Sequence, residues 1–151
     1  MDVYGNLKRL GLELPAPPAP GGLYAPVKQV GNLLYTSGQG SNVNGKSAFI
    51  GKVGSDLTIE QGQEAARIVA LNILSVLHAY LGDLNKIKNV VKILGFVASA
   101  PGFGEQPKVI NGASQLLIDV FGESGKHTRS AIGSNELPGN IPVEIEGIFE
   151  I

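Results

Sequence analysis

The chain has 151 residues, 43% of them hydrophobic and 17% charged, a balance that supports one packed core and excludes a disordered polymer. Its formal net charge is −1, so the totals carry no basic footprint for nucleic acid. The absence of cysteine removes disulfides, thiolate metal sites and cysteine nucleophiles, and the two histidines, His78 and His127, lie too far apart for a spaced metal motif.

The opening Met1-Asp-Val-Tyr-Gly has no basic or apolar leader pattern, and no apolar run approaches the ~20 residues of a membrane span. A soluble, cytoplasmic protein is the expectation. Asp2 caps a short helix through Leu10, with Gly11 as its stop. Pro15 to Gly22 is too rich in proline for a helix or a central strand and reads as an extended surface arm. Residues 1–22 are therefore expected to be a short helix and a Pro-rich arm on a single domain spanning 1–151. Val27 to Val30 and Leu33 to Ser37 flank Gly31-Asn32, a hairpin signal, and a weaker third strand is predicted from Ser47 to Lys52.

The strongest helix runs from Thr58 to about Leu81. Thr58 and Gln61 form a capping box, and Ala65, Val69, Ile73, Val76 and Tyr80 follow helical spacing, with Leu77 and Leu81 widening the stripe. Such a face belongs on a sheet. Gly82 ends the helix. Asn89 to Ala100 reads as a strand dense in Val, Ile, Leu and Phe, broken by Pro101-Gly102. A second helix follows from about Gln106 to Phe121, with Pro107 in its first turn and Gly122 as its stop. Arg129 to Asn135 and Val143 to Ile151 are the last two strands. The order β-β-(β)-α-β-α-β-β predicts an α+β fold, a sheet with two helices on one face. Apolar residues populate both faces of the Asn89–Ala100 strand, so the face without helices is expected to be buried against further copies of the chain.

Chemistry concentrates in Arg129-Ser-Ala-Ile-Gly-Ser-Asn-Glu-Leu-Pro138 and in Val143-Glu-Ile-Glu146. Arginine is scarce, with only Arg9, Arg67 and Arg129. A guanidinium fork fits a carboxylate two bonds at a time, while Glu144 and Glu146 could handle protons or a water. The pattern suggests a pocket for a small carboxylic acid; the alternative is a strand arginine paired with a glutamate for solubility. Strand parity puts both glutamates on one face and does not separate them. A simple hairpin about Pro138-Gly139 would set Arg129 opposite Phe149, roughly 16 Å of strand from Glu144. Either these strands are not direct partners or the pocket spans an interface. His78 is expected to be structural or exposed; His127 lies beside Arg129 and could influence a pocket there, with a solvated loop histidine as the simpler expectation. Gly38-Gln-Gly40 and Gly102-Phe-Gly104 are too short for a phosphate loop, and the chain shows no nucleotide or metal motif.

Tyr24 behind its glycines, Val30-Gly-Asn-Leu-Leu-Tyr-Thr-Ser-Gly-Gln39, the long helix after Thr58, Asn111, and the block from Arg129 through Leu137-Pro138 to Glu144-Ile-Glu146 together resemble the YjgF/RidA family of reactive-intermediate (enamine/imine) deaminases. The resemblance runs from about Gly22 to the end. The N-terminal arm, Ser99 to Pro107 and Phe121 to His127 mark a divergent branch, with His127-Thr128 where the family typically has Pro-Ala. It implies a chorismate-mutase-like fold assembled as a homotrimer, with clefts between subunits. It also implies cofactor-free hydrolysis of 2-enamine/2-imine intermediates of the 2-aminoacrylate/iminopyruvate type to 2-oxo acids and ammonia. In that reading Arg129 binds the substrate carboxylate, Glu144 positions or deprotonates water, and Tyr24 lines the cleft. The backbone amides around Gly38 and Ala131 contact ligand oxygens, and Ser37 and Asn111 are supporting groups. The expected partners are a small 2-imino or 2-oxo acid and further copies of the chain, with neither membrane nor nucleic acid. Two alternatives are an endoribonuclease or translation inhibitor, and a non-catalytic metabolite-binding trimer.

Overall fold

Five strands meet in one sheet, out of sequence order. In a computed structural model describing residues 2–151, the helices are α1 (Val3–Arg9), α2 (Ile59–Leu81) and α3 (Gln106–Phe121). The strands are β1 (Val27–Val30), β2 (Leu33–Thr36), β3 (Asn42–Val43), β4 (Lys46–Ser47), β5 (Asn89–Ala98), β6 (Thr128–Ser134) and β7 (Val143–Glu150). The main sheet has the order β1-β2-β7-β5-β6, antiparallel except between β5 and β6.

Most local signals act as anticipated. The hairpin β1–β2 closes Val30 against Leu33 across Gly31-Asn32. The capping box forms in full: Thr58 N–H donates to Gln61 Oε1 at 2.9 Å, and Gln61 N–H to Thr58 Oγ1 at 3.1 Å. Helix α1 ends as a Schellman motif, with Gly11 N–H on Lys8 C=O at 3.0 Å and Leu12 N–H on Leu7 C=O at 2.9 Å. Two details differ. No strand covers 48–52; a two-residue ribbon, β3–β4, stands before it, because Asn44 (φ 52°) and Gly45 (φ 78°) supply the two positive φ angles of a tight hairpin turn. Tyr80 is not part of the buried stripe. It is 48% exposed and its hydroxyl donates to Gln29 Oε1 of β1 at 3.1 Å.

Helices α2 and α3 pack on each other and on one face of the sheet. Ile73, Leu74 and Leu77 of α2, Ile110 and Leu117 of α3, and Leu34, Ile93, Ile145 and Phe149 of the sheet are all fully buried there. By length and composition α2 could cross a bilayer, but its apolar side is taken up by this core. Val3 and Leu7 of α1 join the same core, and Tyr4 OH accepts from Leu84 N–H at 2.8 Å. Pro15 to Gly22 form no helix or strand, and Pro15 C=O accepts from Ser75 Oγ of α2 at 2.6 Å. The opposite sheet face is open in the single chain: Tyr35 is 41% and Ile132 45% exposed, with Leu94, Phe96 and Ile148 half-buried.

Because Phe149 links β7 to both helices' core, Phe149→Ala should lower the unfolding free energy by about 3–5 kcal/mol in a urea titration. A loss below ~1 kcal/mol would mean that the site collapses without a cavity.

Candidate active site

A bulge in the sheet builds the first half of the site. Strands β2 and β7 pair from Leu33–Glu150 to Tyr35–Ile148, then separate, and the next bridge is Gln39–Ile145. From 35 to 39 one strand advances four positions while the other, from 148 to 145, advances three. The extra residue makes a bulge, a device that re-aims backbone beside a site. Gly147 N–H donates to the buried Thr36 Oγ1 at 3.0 Å, and Gln39 and Ile145 exchange backbone bonds at 2.9 and 3.1 Å.

The bulge brings Gly38 onto Glu144 so closely that a Cβ at position 38 would overlap Glu144 Oε1. A larger residue at position 38 would displace the Glu144 carboxyl from this position. Ser37 Oγ donates to Ala25 C=O at 2.8 Å, and its N–H to Pro26 C=O at 2.9 Å, which ties the Tyr24 segment to the bulge. Tyr24 OH accepts from Gly21 N–H at 2.9 Å, leaving the phenolic proton free. Asn72, a buried amide on the apolar side of α2, donates to Gly40 C=O and Asn42 C=O, both at 2.9 Å. Tyr24, Ser37, Gly38, Glu144 and Glu146 thereby line one cavity of about 760 Å³, together with Pro18 of the arm.

The two glutamates, equivalent by parity, differ in environment. Glu144 is half-buried and Glu146 exposed. Burial, and then the charge of Glu146, hold the Glu144 carboxyl above the ordinary carboxylate range. A carboxyl so placed can both accept and return a proton nearer to neutral pH.

Arg129 stands elsewhere. Strand β5 lies between β6 and β7, so the last two strands are not direct partners. Arg129 aligns with Ile93 and, across β5, with Gly147, whereas Glu144 aligns with Phe96. Two strand steps across and three residues along place their Cα positions roughly 14 Å apart, from about 4.8 Å per step and 3.3 Å per residue. The odd offset also puts them on opposite faces of the sheet. One chain alone cannot set both on one small ligand.

On its own face the half-buried Arg129 is held by α3: Nη1 donates to Ser114 Oγ at 2.9 Å and Nη2 to Pro107 C=O at 3.2 Å. Asn111 shares that side of α3 by the spacing 107, 111, 114, and also borders a groove with Glu64 and Arg67 of α2. Ala131, two residues beyond Arg129, faces the same way on the edge strand β6. Among the described residues the ion pairs are Lys108–Glu105 and Lys126–Glu123, so the Arg129 guanidinium is held by neutral groups with no carboxylate paired to it. The anticipated residues thus fall into two sets, Tyr24, Ser37, Gly38 and Glu144 in one and Arg129, Asn111 and Ala131 in the other.

Both histidines are turned inward. His78 Nδ1 meets Tyr4 OH at 2.9 Å. His127 is not a solvated loop residue: it is half-buried, with Nδ1 2.7 Å from Gly125 C=O and Nε2 2.9 Å from Ser114 Oγ. The sequence places His127 beside Arg129, while nothing in it points to Ser114 as the group between them, and the position of Asn72 was not anticipated. For Asn72 the signal was present, as a lone amide within the apolar run Val69 to Leu77.

Residues 5–144 match the family described as "YjgF/chorismate_mutase-like, putative endoribonuclease". The chain belongs to this YjgF/RidA family. Its α+β sheet with helices on one face is the family's fold. The solved structure of Atu1372, a protein of unknown function from Agrobacterium tumefaciens, superposes with a TM-score of 0.92 at 49% identity, covering 99% of this chain and 92% of that one. Protein TCP17 of Trypanosoma cruzi is 43% identical over 150 residues, 99% of this chain and 94% of that protein. A 2-iminobutanoate/2-iminopropanoate deaminase of Dermatophagoides farinae is 30% identical over 141 residues, 93% of this chain and 94% of that enzyme.

The raised carboxyl makes a signed prediction. Where the folded pKa exceeds the unfolded one, the folded state binds more protons, so stability falls as pH rises through the window. Glu144→Gln should therefore raise the Tm at pH 7 and lose that gain by about pH 4, near the unfolded carboxyl value. A Tm difference independent of pH, read by calorimetry, would contradict the environment described for Glu144.

Proposed function

We propose that this family member hydrolyses 2-imino acids, and the enamines that tautomerise to them, to 2-oxo acids and ammonia. The observation that carries the reading is Arg129, a half-buried guanidinium anchored by a hydroxyl and a carbonyl with no protein carboxylate against it. Two of its five N–H donors are used, and three remain for a planar ligand carboxylate. The deaminase relative from Dermatophagoides farinae supports the choice of substrate class.

The site is composite. Arg129, with Asn111 and the Ala131 backbone, faces the bulge cavity of a neighbouring copy, which supplies Tyr24, Ser37, Gly38 and Glu144. The half-open sheet face, with Tyr35 and Ile132 exposed, supports burial against other copies, and a closed homotrimer is the assembly we infer. An enamine first takes a proton at its β-carbon to become the imine. Water then adds to the imine carbon while Glu144 accepts its proton. The C–N bond of the resulting carbinolamine breaks as that proton passes to nitrogen; ammonia leaves, the oxygen lone pair forms the carbonyl, and the hydroxyl proton goes to the Glu144 carboxylate, leaving the 2-oxo acid. A protonated imine is already electrophilic, so holding it beside one water supplies much of the rate. No cofactor enters this balance. The endoribonuclease role named for the family gains nothing from the histidines, since each is engaged within the fold.

The test is competition with semicarbazide for imino acids released by an amino-acid oxidase. The wild-type protein should suppress semicarbazone formation, and Arg129→Ala should lose on the order of 100-fold in that activity, as expected for a charged, bidentate contact. No suppression across several imino acids would end the deaminase reading and leave a binding role for 2-oxo acids.

A further inference from the structure

His127 and Ser114 stand apart from the groups so far given chemistry, yet Ser114 touches both His127 and Arg129. The direction of each hydrogen bond follows from the atoms. Gly125 C=O can only accept, so His127 Nδ1 carries the proton across their 2.7 Å contact. Arg129 can only donate, so Ser114 Oγ accepts from Nη1 at 2.9 Å and has its own proton left to give. The group within reach is His127 Nε2, also at 2.9 Å.

We propose that Ser114 and His127 are positioning residues for the carboxylate site, forming a one-way chain from Arg129 Nη1–H through Ser114 Oγ–H to His127 Nε2, with His127 Nδ1–H anchored on Gly125 C=O. The inference rests on the reading of Arg129 as the carboxylate-binding group. A hydroxyl that gives its proton away becomes a better acceptor, so the chain strengthens the bond that fixes the guanidinium. With Pro107 C=O as the second anchor, two donors are held against α3 and the rest of the fork is turned away from it. The arginine is then oriented before a ligand arrives, which reduces the ordering cost of binding.

The surroundings keep the imidazole neutral, as the chain requires. Burial lowers its proton affinity most, and the Arg129 charge lowers it further, against a raising effect of the Gly125 carbonyl. The other charged groups nearby are spoken for or turned aside. Glu123 and Lys126 pair with each other, Asp119 of α3 accepts from Gln115, and the exposed Lys92 of β5 lies with Leu94 and Glu146 on the open sheet face.

The composition makes the test direct, because the chain has two histidines and three arginines, few enough to assign each side chain by nitrogen NMR. At pH 7 the wild-type protein should show His127 as the neutral Nδ1–H tautomer, and Arg129 with guanidinium protons in slow exchange. Ser114→Ala should abolish the slow exchange at Arg129 and leave Arg9 and Arg67 unchanged. In calorimetric titration with 2-oxobutanoate the same variant should bind about ten-fold more weakly, as for loss of one charge-assisted bond. An Nε2–H tautomer or an imidazolium at His127 would overturn the proposal, as would an Arg129 signal indifferent to Ser114→Ala. If wild type binds no 2-oxo acid while both NMR signatures appear, the functional reading fails and the positioning chain stands as a structural device.

Discussion

Parallel neighbours in a sheet need a crossover, and the pairing of β6 with β5 through α3 is the constraint on which the remaining geometry depends. The crossover leaves β6 on the sheet edge with α3 packed over it, which is how Ser114 and Pro107 come to hold Arg129. It also inserts β5 between Arg129 and Glu144 and sets them on opposite faces. A chain built this way separates the two residue sets, and the composite site we propose would join them only between copies. On that proposal the open sheet face and the divided site follow from one strand order.

The half-sites are alike in physical character. Each holds an ionisable group away from full hydration without an opposite charge to neutralise it. Arg129 rests on a hydroxyl and a carbonyl, and Glu144 lies under the bulge with a second carboxylate nearby. Such groups cost stability in an isolated protein and cluster at functional sites, which is what the proposed function asks of them. The supporting contacts come from the helices and their flanks: capped α2 supplies Asn72 to the bulge, and Ser114 of α3 stands between His127 and Arg129.

Much of the fold was legible in the sequence because its signals are local. The capping box at Thr58, the glycine stops at Gly11 and Gly82, and the Gly31-Asn32 turn each fix backbone within a few residues. The small ribbon β3–β4 was missed because Asn44-Gly45, a turn signal, is flanked by only two residues of strand on either side. Tyr80 fits the helical period, yet the buried stripe ends a turn earlier, and at the exposed end of α2 its hydroxyl reaches Gln29 of the edge strand β1. The site was legible as a list of residue types and not as an arrangement. Whether β6 and β7 are neighbours depends on strand order, which pairing across long separations decides. The role of His127 depends on Ser114, thirteen positions away on another element, and no periodicity connects them.

The central claim is that catalysis needs Arg129 of one copy and Glu144 of another. Subunit mixing tests it most directly. Arg129→Ala and Glu144→Gln proteins, each inactive alone in the imino-acid assay, would be mixed under conditions that exchange subunits. Random pairing gives about one interface in four with both native residues, so roughly a quarter of wild-type activity should return. Exchange verified by mass spectrometry with no recovered activity would show that the two residues do not meet across an interface.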